Sequence, residues 1–198
     1  MTLSSATGPG PTSGTLPDDG GARHLKRGHR MPNLDLPTTS GGTVNLARLR
    51  GLAVVYCYTW TGRPGVANPQ GWDDIPGAHG STPEAEGFRD LHAGFMQVQT
   101  AVYGLSTQPT NYQRELVQRL ALPFDLVSDE HFAVQRALAL PTFATGGVTY
   151  LKRLTLAIND GRIERVYYPV SLPGAHAREV CAWLGMRDRS DLRKTGGV

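Results

Sequence analysis

The chain has 198 residues, enough for one domain with a buried core plus tails, and its formal net charge is only +3. Its basic residues (Lys26, Arg27, Arg30 and the run from Arg187 to Lys194) are strung out rather than gathered in a stripe with aromatics, which excludes nucleic acid as an expected partner. No apolar run can span a bilayer, two cysteines make no disulfide framework, and the six histidines include no pair at metal-ligand spacing, so neither membrane, metal nor cofactor is expected.

Residues 1–30 are rich in Gly, Pro, Ser and Thr and read as a flexible tail. They lack the charged-then-apolar order of a secretory signal, and a cytoplasmic location is expected. A domain is predicted over 31–185, followed by a basic tail over 186–198. Residues 52–58 form a continuous apolar and β-branched run, as a strand buried on both faces requires. A long Gly/Pro-rich loop then fills 59–80. Helix signals begin at Ser81: a serine with Glu84 three residues later is a capping box, and Pro83 stands in the first turn. Phe88, Leu91 and Phe95 fall on one face of that helix.

Further along, 101–106 reads as a strand and 110–120 as a helix with Tyr112, Leu116 and Leu120 inward. A short strand at 124–127 and a short helix at 130–138 follow. Residues 150–158 and 162–168 make a hairpin around Asn159-Asp160-Gly161, and 175–184 closes the domain as a helix. Strands alternating with helices, then a terminal hairpin and helix, define an α/β layered domain.

The segment from Gly77 to Asp90 resembles the catalytic segment of peroxiredoxins of the bacterioferritin-comigratory type, a Pro-Gly-Cys-Thr-x-Glu-x-Cys-x-Phe-Arg-Asp pattern. Phe88-Arg89-Asp90 keeps the end of that pattern, while Ser81 stands at the peroxide-attacking cysteine and Glu86 at the resolving cysteine some relatives carry. The resemblance extends to Pro32–Pro37, Gly42–Leu46, the run 52–58 and the segment 152–163, whose Arg153 is similar to the family's active-site arginine. It implies a thioredoxin-like fold, a central mixed sheet flanked by helices with a flexible N-terminal extension. The pattern's proline and threonine, seven and three residues before the catalytic position, are replaced by Asp74 and Ala78. Thr59, Thr61 and Pro64 lie upstream, placed to fold back in their stead.

A thiol peroxidase needs a thiolate held at a helix N-terminus beside a cation. The resemblance supplies both fixtures and no nucleophilic sulfur. Serine cannot pass through a sulfenic acid, so peroxide reduction through Ser81 is not expected. Ser81 is also accounted for as an N-cap, as a hydrogen-bonding residue in a ligand pocket, or as a nucleophile with His79 as base. Glu86 is either a surface helix residue or a buried carboxylate opposite Arg153 or Arg89. Trp60, Arg63 and Trp72 line a remodelled pocket with Thr82, or else the tryptophans merely pin the loop. Cys57 and Cys181 read as small buried hydrophobes, with a relocated catalytic thiol at Cys57 as the alternative.

Three functions follow as expectations. The first is a peroxiredoxin-like protein without the catalytic cysteine, an oxidoreductase scaffold turned to non-thiol chemistry or to binding an oxygen-rich small molecule in bacterial specialised metabolism. The second is an antioxidant thiol peroxidase that uses Cys57, or whose cysteine has been replaced by Ser81. The third is a non-catalytic interaction protein. A homodimer is expected for each.

Overall fold

The computed structural model describes residues 15–195, with side chains described through residue 185. Leu36–Pro37 (β1) and Thr43–Val44 (β2) form a small antiparallel pair ahead of the main sheet. Leu52–Cys57 (β3) is the central strand, and the loop after it is relieved only by a short 3-10 turn at Trp72–Asp74. Ser81–Asp90 (α1) and His92–Gln97 (α2) lead into Thr100–Ser106 (β4). Thr110–Leu120 (α3), Leu126–Ser128 (β5) and Ala133–Leu138 (α4) follow. The chain ends with two hairpins and a helix: Thr142–Thr145 (β6) with Val148–Leu151 (β7), Leu154–Asn159 (β8) with Arg162–Tyr167 (β9), then Pro173–Thr195 (α5).

The main sheet has the order β5-β4-β3-β8-β9, with β3, β4 and β5 parallel and β8 and β9 antiparallel to their neighbours. This mixed sheet with helices against it is the thioredoxin-like arrangement that the resemblance implies. Successive side chains of a strand point to opposite faces, so β3 serves two cores at once. Ala53, Val55 and Cys57 join Leu105, Val127, Leu154, Leu156 and Ile158 on one face. Val54, Tyr56 and Tyr58 meet Phe88 and Phe95 from α1 and α2, Leu116 from α3, and Val180 from α5 on the other. Each such buried apolar side chain contributes roughly 1.5–3 kcal/mol relative to exposure.

The structure departs from the sequence reading in four places. The strand predicted over 150–158 is broken at Lys152-Arg153, because β7 turns back on β6 while β8 joins the main sheet. On α3 the inward residues are Gln113, Leu116 and Leu120, whereas Tyr112 is half-buried beneath the Arg63 guanidinium, 4.0 Å from its ring centre. The Gln113 amide takes the inward place by donating to Tyr58 Oη, Ser106 Oγ and the Val127 carbonyl. At the C-terminus, helical backbone runs to Thr195, through much of the predicted tail. Lastly, the predicted N-terminal tail is packed from residue 15 onward: Ala22 and Leu25 are buried in the core of the first face. Residues 1–14 lie outside the described part of the chain.

Candidate active site around Ser81 and Arg153

Two chain segments deliver the site. α1 begins immediately after Gly80, whose φ of 106° is open to glycine and strained for other residues. A Cβ there would also sit 2.3 Å from Pro173 Cγ, so Gly80 lets the first turn of α5 close against the start of α1. The second segment is the Lys152-Arg153 break between β7 and β8, which turns Arg153 inward.

Ser81, Glu84, Ala85 and Phe88 are the buried residues of α1, the i, i+3, i+4, i+7 face of a helix. Ser81 is the first helical residue rather than the N-cap, and its hydroxyl makes no capping bond. It is 3.0 Å from Thr59 Oγ1 and accepts from Arg153 Nη2 at 3.0 Å. Arg153 Nη2 also donates to the His79 carbonyl at 3.1 Å, and Nη1 pairs with Glu84 Oε2. Thr59, Ser81, Glu84 and Arg153 are 1%, 3%, 0% and 4% exposed, a closed polar cage inside the domain.

Proton counting fixes the direction of these bonds. Thr59 has one hydroxyl hydrogen, and it is donated to the Ala78 carbonyl at 2.7 Å. The Ser81–Thr59 bond therefore carries the Ser81 proton to Thr59 Oγ1. Ser81 Oγ receives from the cation and gives to a neutral hydroxyl; no base holds its proton. His79 is not that base. Its side chain is 57% exposed, with Nε2 2.9 Å from an Asp73 carboxyl oxygen, and only its carbonyl enters the cage.

Glu86, expected opposite the arginine, is half-buried two residues off the inward face, and Glu84 holds that place instead. The helical period of the inward residues was the signal for Glu84. Burial pushes its carboxyl up from 4.5 to about 7, against the attraction of Arg153. Its Oε1 and the Arg153 Nε are both buried without a hydrogen-bond partner. Behind the cage, His176 on α5 bonds through Nε2 to Thr155 Oγ1 at 2.9 Å and through Nδ1 to Glu179 at 3.1 Å. Burial lowers the proton affinity of this imidazole, Glu179 opposes that, and Arg153 adds to it. No motif in the sequence marked it.

The loop residues fall into an aromatic cluster. Trp72 is buried against Tyr150 (ring centres 4.9 Å apart), Trp60 (5.4 Å) and Phe143 (5.7 Å), and its ring lies 6.4 Å from His79. Gln108 holds the start of the loop by accepting from the Thr61 amide and hydroxyl. Trp60 and Trp72 thus pin the loop to the β6–β7 hairpin, Arg63 lies exposed over Tyr112, and Thr82 is half-buried beside the hydrogen-bonded cage. Among the described residues no group of three or more His, Cys, Asp or Glu is placed to hold an ion, and no helix is long and apolar enough to cross a membrane.

No family model matches the chain. It is 28% identical over 184 residues to the chloroplastic peroxiredoxin Q of Oryza sativa subsp. japonica, covering 89% of this chain and 77% of that one. Over 165 residues it is 30% identical to a Coxiella burnetii protein assigned as peroxiredoxin bcp, covering 81% of this chain and 99% of the relative. The chain belongs to the peroxiredoxin Q/bacterioferritin comigratory protein family. Its fold superposes on peroxidoxin BcpB of Mycobacterium tuberculosis with a TM-score of 0.65 at 26% identity, covering 82% and 98% of the two chains. A cysteine-to-serine mutant of Xylella fastidiosa PrxQ gives a TM-score of 0.68 at 22% identity over 83% and 98%.

Neither of the two thiols of this peroxiredoxin-family chain is among the hydrogen-bonded groups of the cage. Cys57 is 1% exposed among Val55, Leu105 and Leu154 on the opposite sheet face, and burial drives its thiol far above the ordinary value, with Glu84 and Asp129 adding to the shift. Cys181 is half-buried on α5, and burial raises its thiol as well. Neither resembles the depressed, cation-supported thiolate that reactive cysteines need.

Proposed function

We propose that this peroxiredoxin-family protein has Ser81 at the position of the peroxide-attacking cysteine, has left thiol peroxidase turnover, and binds a small oxygen-rich molecule in the Ser81–Arg153 cage. The observation that carries this reading is the bond from Arg153 Nη2 to Ser81 Oγ, at the start of α1. A buried cation and a helix N-terminus favour oxygen atoms bearing negative charge. In the same place, a serine hydroxyl that donates its hydrogen bond to Thr59 has no base to make it a nucleophile. Binding therefore fits the residues better than attack, and a ligand would exchange with the Ser81 hydroxyl for the arginine's hydrogen bond.

The antioxidant alternative through Cys57 needs a thiolate in an apolar core with no hydrogen bond from Arg153, and the burial of Cys57 speaks against it. Peroxide consumption with dithiothreitol separates these readings. The parent chain is expected to be silent, and Ser81→Cys is expected to consume at least one equivalent. Small oxyanions and tert-butyl hydroperoxide should raise the melting temperature of the parent and fail to raise that of Arg153→Met. Turnover by the parent that disappears in Cys57→Ala would defeat the proposal.

A further inference from the structure

Residues 16–21 touch the two segments that bring the His79 carbonyl and Arg153 to the cage, at Gly77 and at Lys152. The Leu16 amide donates to Ser171 Oγ at 2.9 Å. The Leu16 side chain lies against Gly77, where a Cβ would meet its Cδ1 at 2.8 Å. Asp19 accepts from Lys152 Nζ at 2.5 Å and from Tyr168 Oη at 2.6 Å. Three of the four contacts are one or two residues from a site fixture, and the fourth, Tyr168, shares Asp19 with Lys152. Gly77 precedes Ala78 and His79, whose carbonyls accept in the cage; Lys152 precedes Arg153; Ser171 precedes Pro173, which packs on Gly80.

We propose that residues 16–21 form a releasable strap that sets the size of molecule able to reach Ser81 and Arg153, with Asp19 as its latch. The two ends of the strap are unequal. Its C-terminal end is rooted by Ala22 and Leu25, 6% and 5% exposed in the core. Its latch is a surface ion pair, with the side chains of Asp19 and Lys152 44% and 36% exposed. Pairs of that exposure are weak and screened by salt. The pair therefore lets go while the apolar root holds, and Gly20, at φ 76°, supplies a backbone pivot between the two. Lys152, Tyr168 and the Gly21 amide hold the Asp19 carboxyl well below the ordinary carboxylate range, so mild acid leaves the latch closed. Competing ions, not protons, are what open it.

This inference concerns access and stands whatever the cage binds. Its test is a reporter thiol: Ser81→Cys in a chain that also carries Cys57→Ala and Cys181→Ala. The rates of modification by iodoacetamide and by a bulky aromatic disulfide are each divided by the rate in denaturant. With the strap latched, the bulky reagent should lag the small one. Asp19→Asn, with Lys152→Met as the second variant, should raise the bulky reagent's rate roughly threefold, the effect of one exposed ion pair, and raise the small reagent's rate less. Molar salt applied to the unaltered strap should act in the same direction. A ratio of the two rates that neither the variants nor salt moves would overturn the proposal, and so would equal acceleration of both, since that reports general loosening.

Discussion

Glu84 and Arg153 meet with almost no exposure, and one oxygen of the carboxyl and one nitrogen of the guanidinium find no partner. A carboxylate so enclosed is costly to desolvate, and the attraction of Arg153 offsets only part of that cost. Its signature is in the pH dependence of folding. The Glu84 carboxyl is raised from 4.5 to about 7, so between those values the folded chain holds a proton that the unfolded chain has lost. Stability from this group is then highest in acid and falls as the pH rises through about 7. Denaturant unfolding between these limits should show a decline of a few kcal/mol in the parent, on the order expected for such a shift. Glu84→Gln should abolish that decline; an unchanged slope would mean the carboxyl is ionised throughout. The sequence motif placed Ser81 and Arg153 together through family resemblance. It named Glu86 as the carboxylate opposite the arginine, although the inward period through Ala85 and Phe88 favours Glu84. Nor could it show that the His79 ring points outward, because that depends on Asp73 in the loop's own fold.

The main strands and helices were legible because their patterns are local: the apolar run of β3, the amphipathic face of α1, the Asn-Asp-Gly turn between β8 and β9. What escaped was decided by contacts distant in sequence. Tyr150-Leu151 reads as the beginning of β8, whereas the aromatic cluster of Trp72, Tyr150 and Phe143 draws Val148–Leu151 onto β6. Residues 15–30 read as a tail because two buried positions, Ala22 and Leu25, are too few to leave a periodic trace. The packing of α5 on α1 depends on Gly80 in a similar way, through backbone shape rather than pattern. Gly80→Ala should destabilise the domain by about 2 kcal/mol or more, since the alanine would be strained at positive φ and would strike Pro173. Equilibrium unfolding of that variant checks it, and an effect below experimental error would show that α5 shifts at no cost.

Across the whole molecule, β3 joins two cores, and Cys57 sits near their seam, paired in register with Leu105 and Leu154. A thiol there is reached only when the sheet itself opens. Under native conditions its labelling should run at least about a thousandfold slower than that of a free thiol, the factor expected if global unfolding controls access. Fast labelling would show that the sheet opens locally beside the cage.

Between the β6–β7 pair and the main sheet lies one corner where spacing matters more than residue type. At Lys152-Arg153 a single peptide bond separates the cation that reaches outward to the N-terminal segment from the one that reaches inward to the serine. Neighbouring extended residues face opposite ways, so one residue inserted or deleted at this corner would turn one of the two cations to the wrong side. Insertions and deletions are thus barred from the corner by geometry.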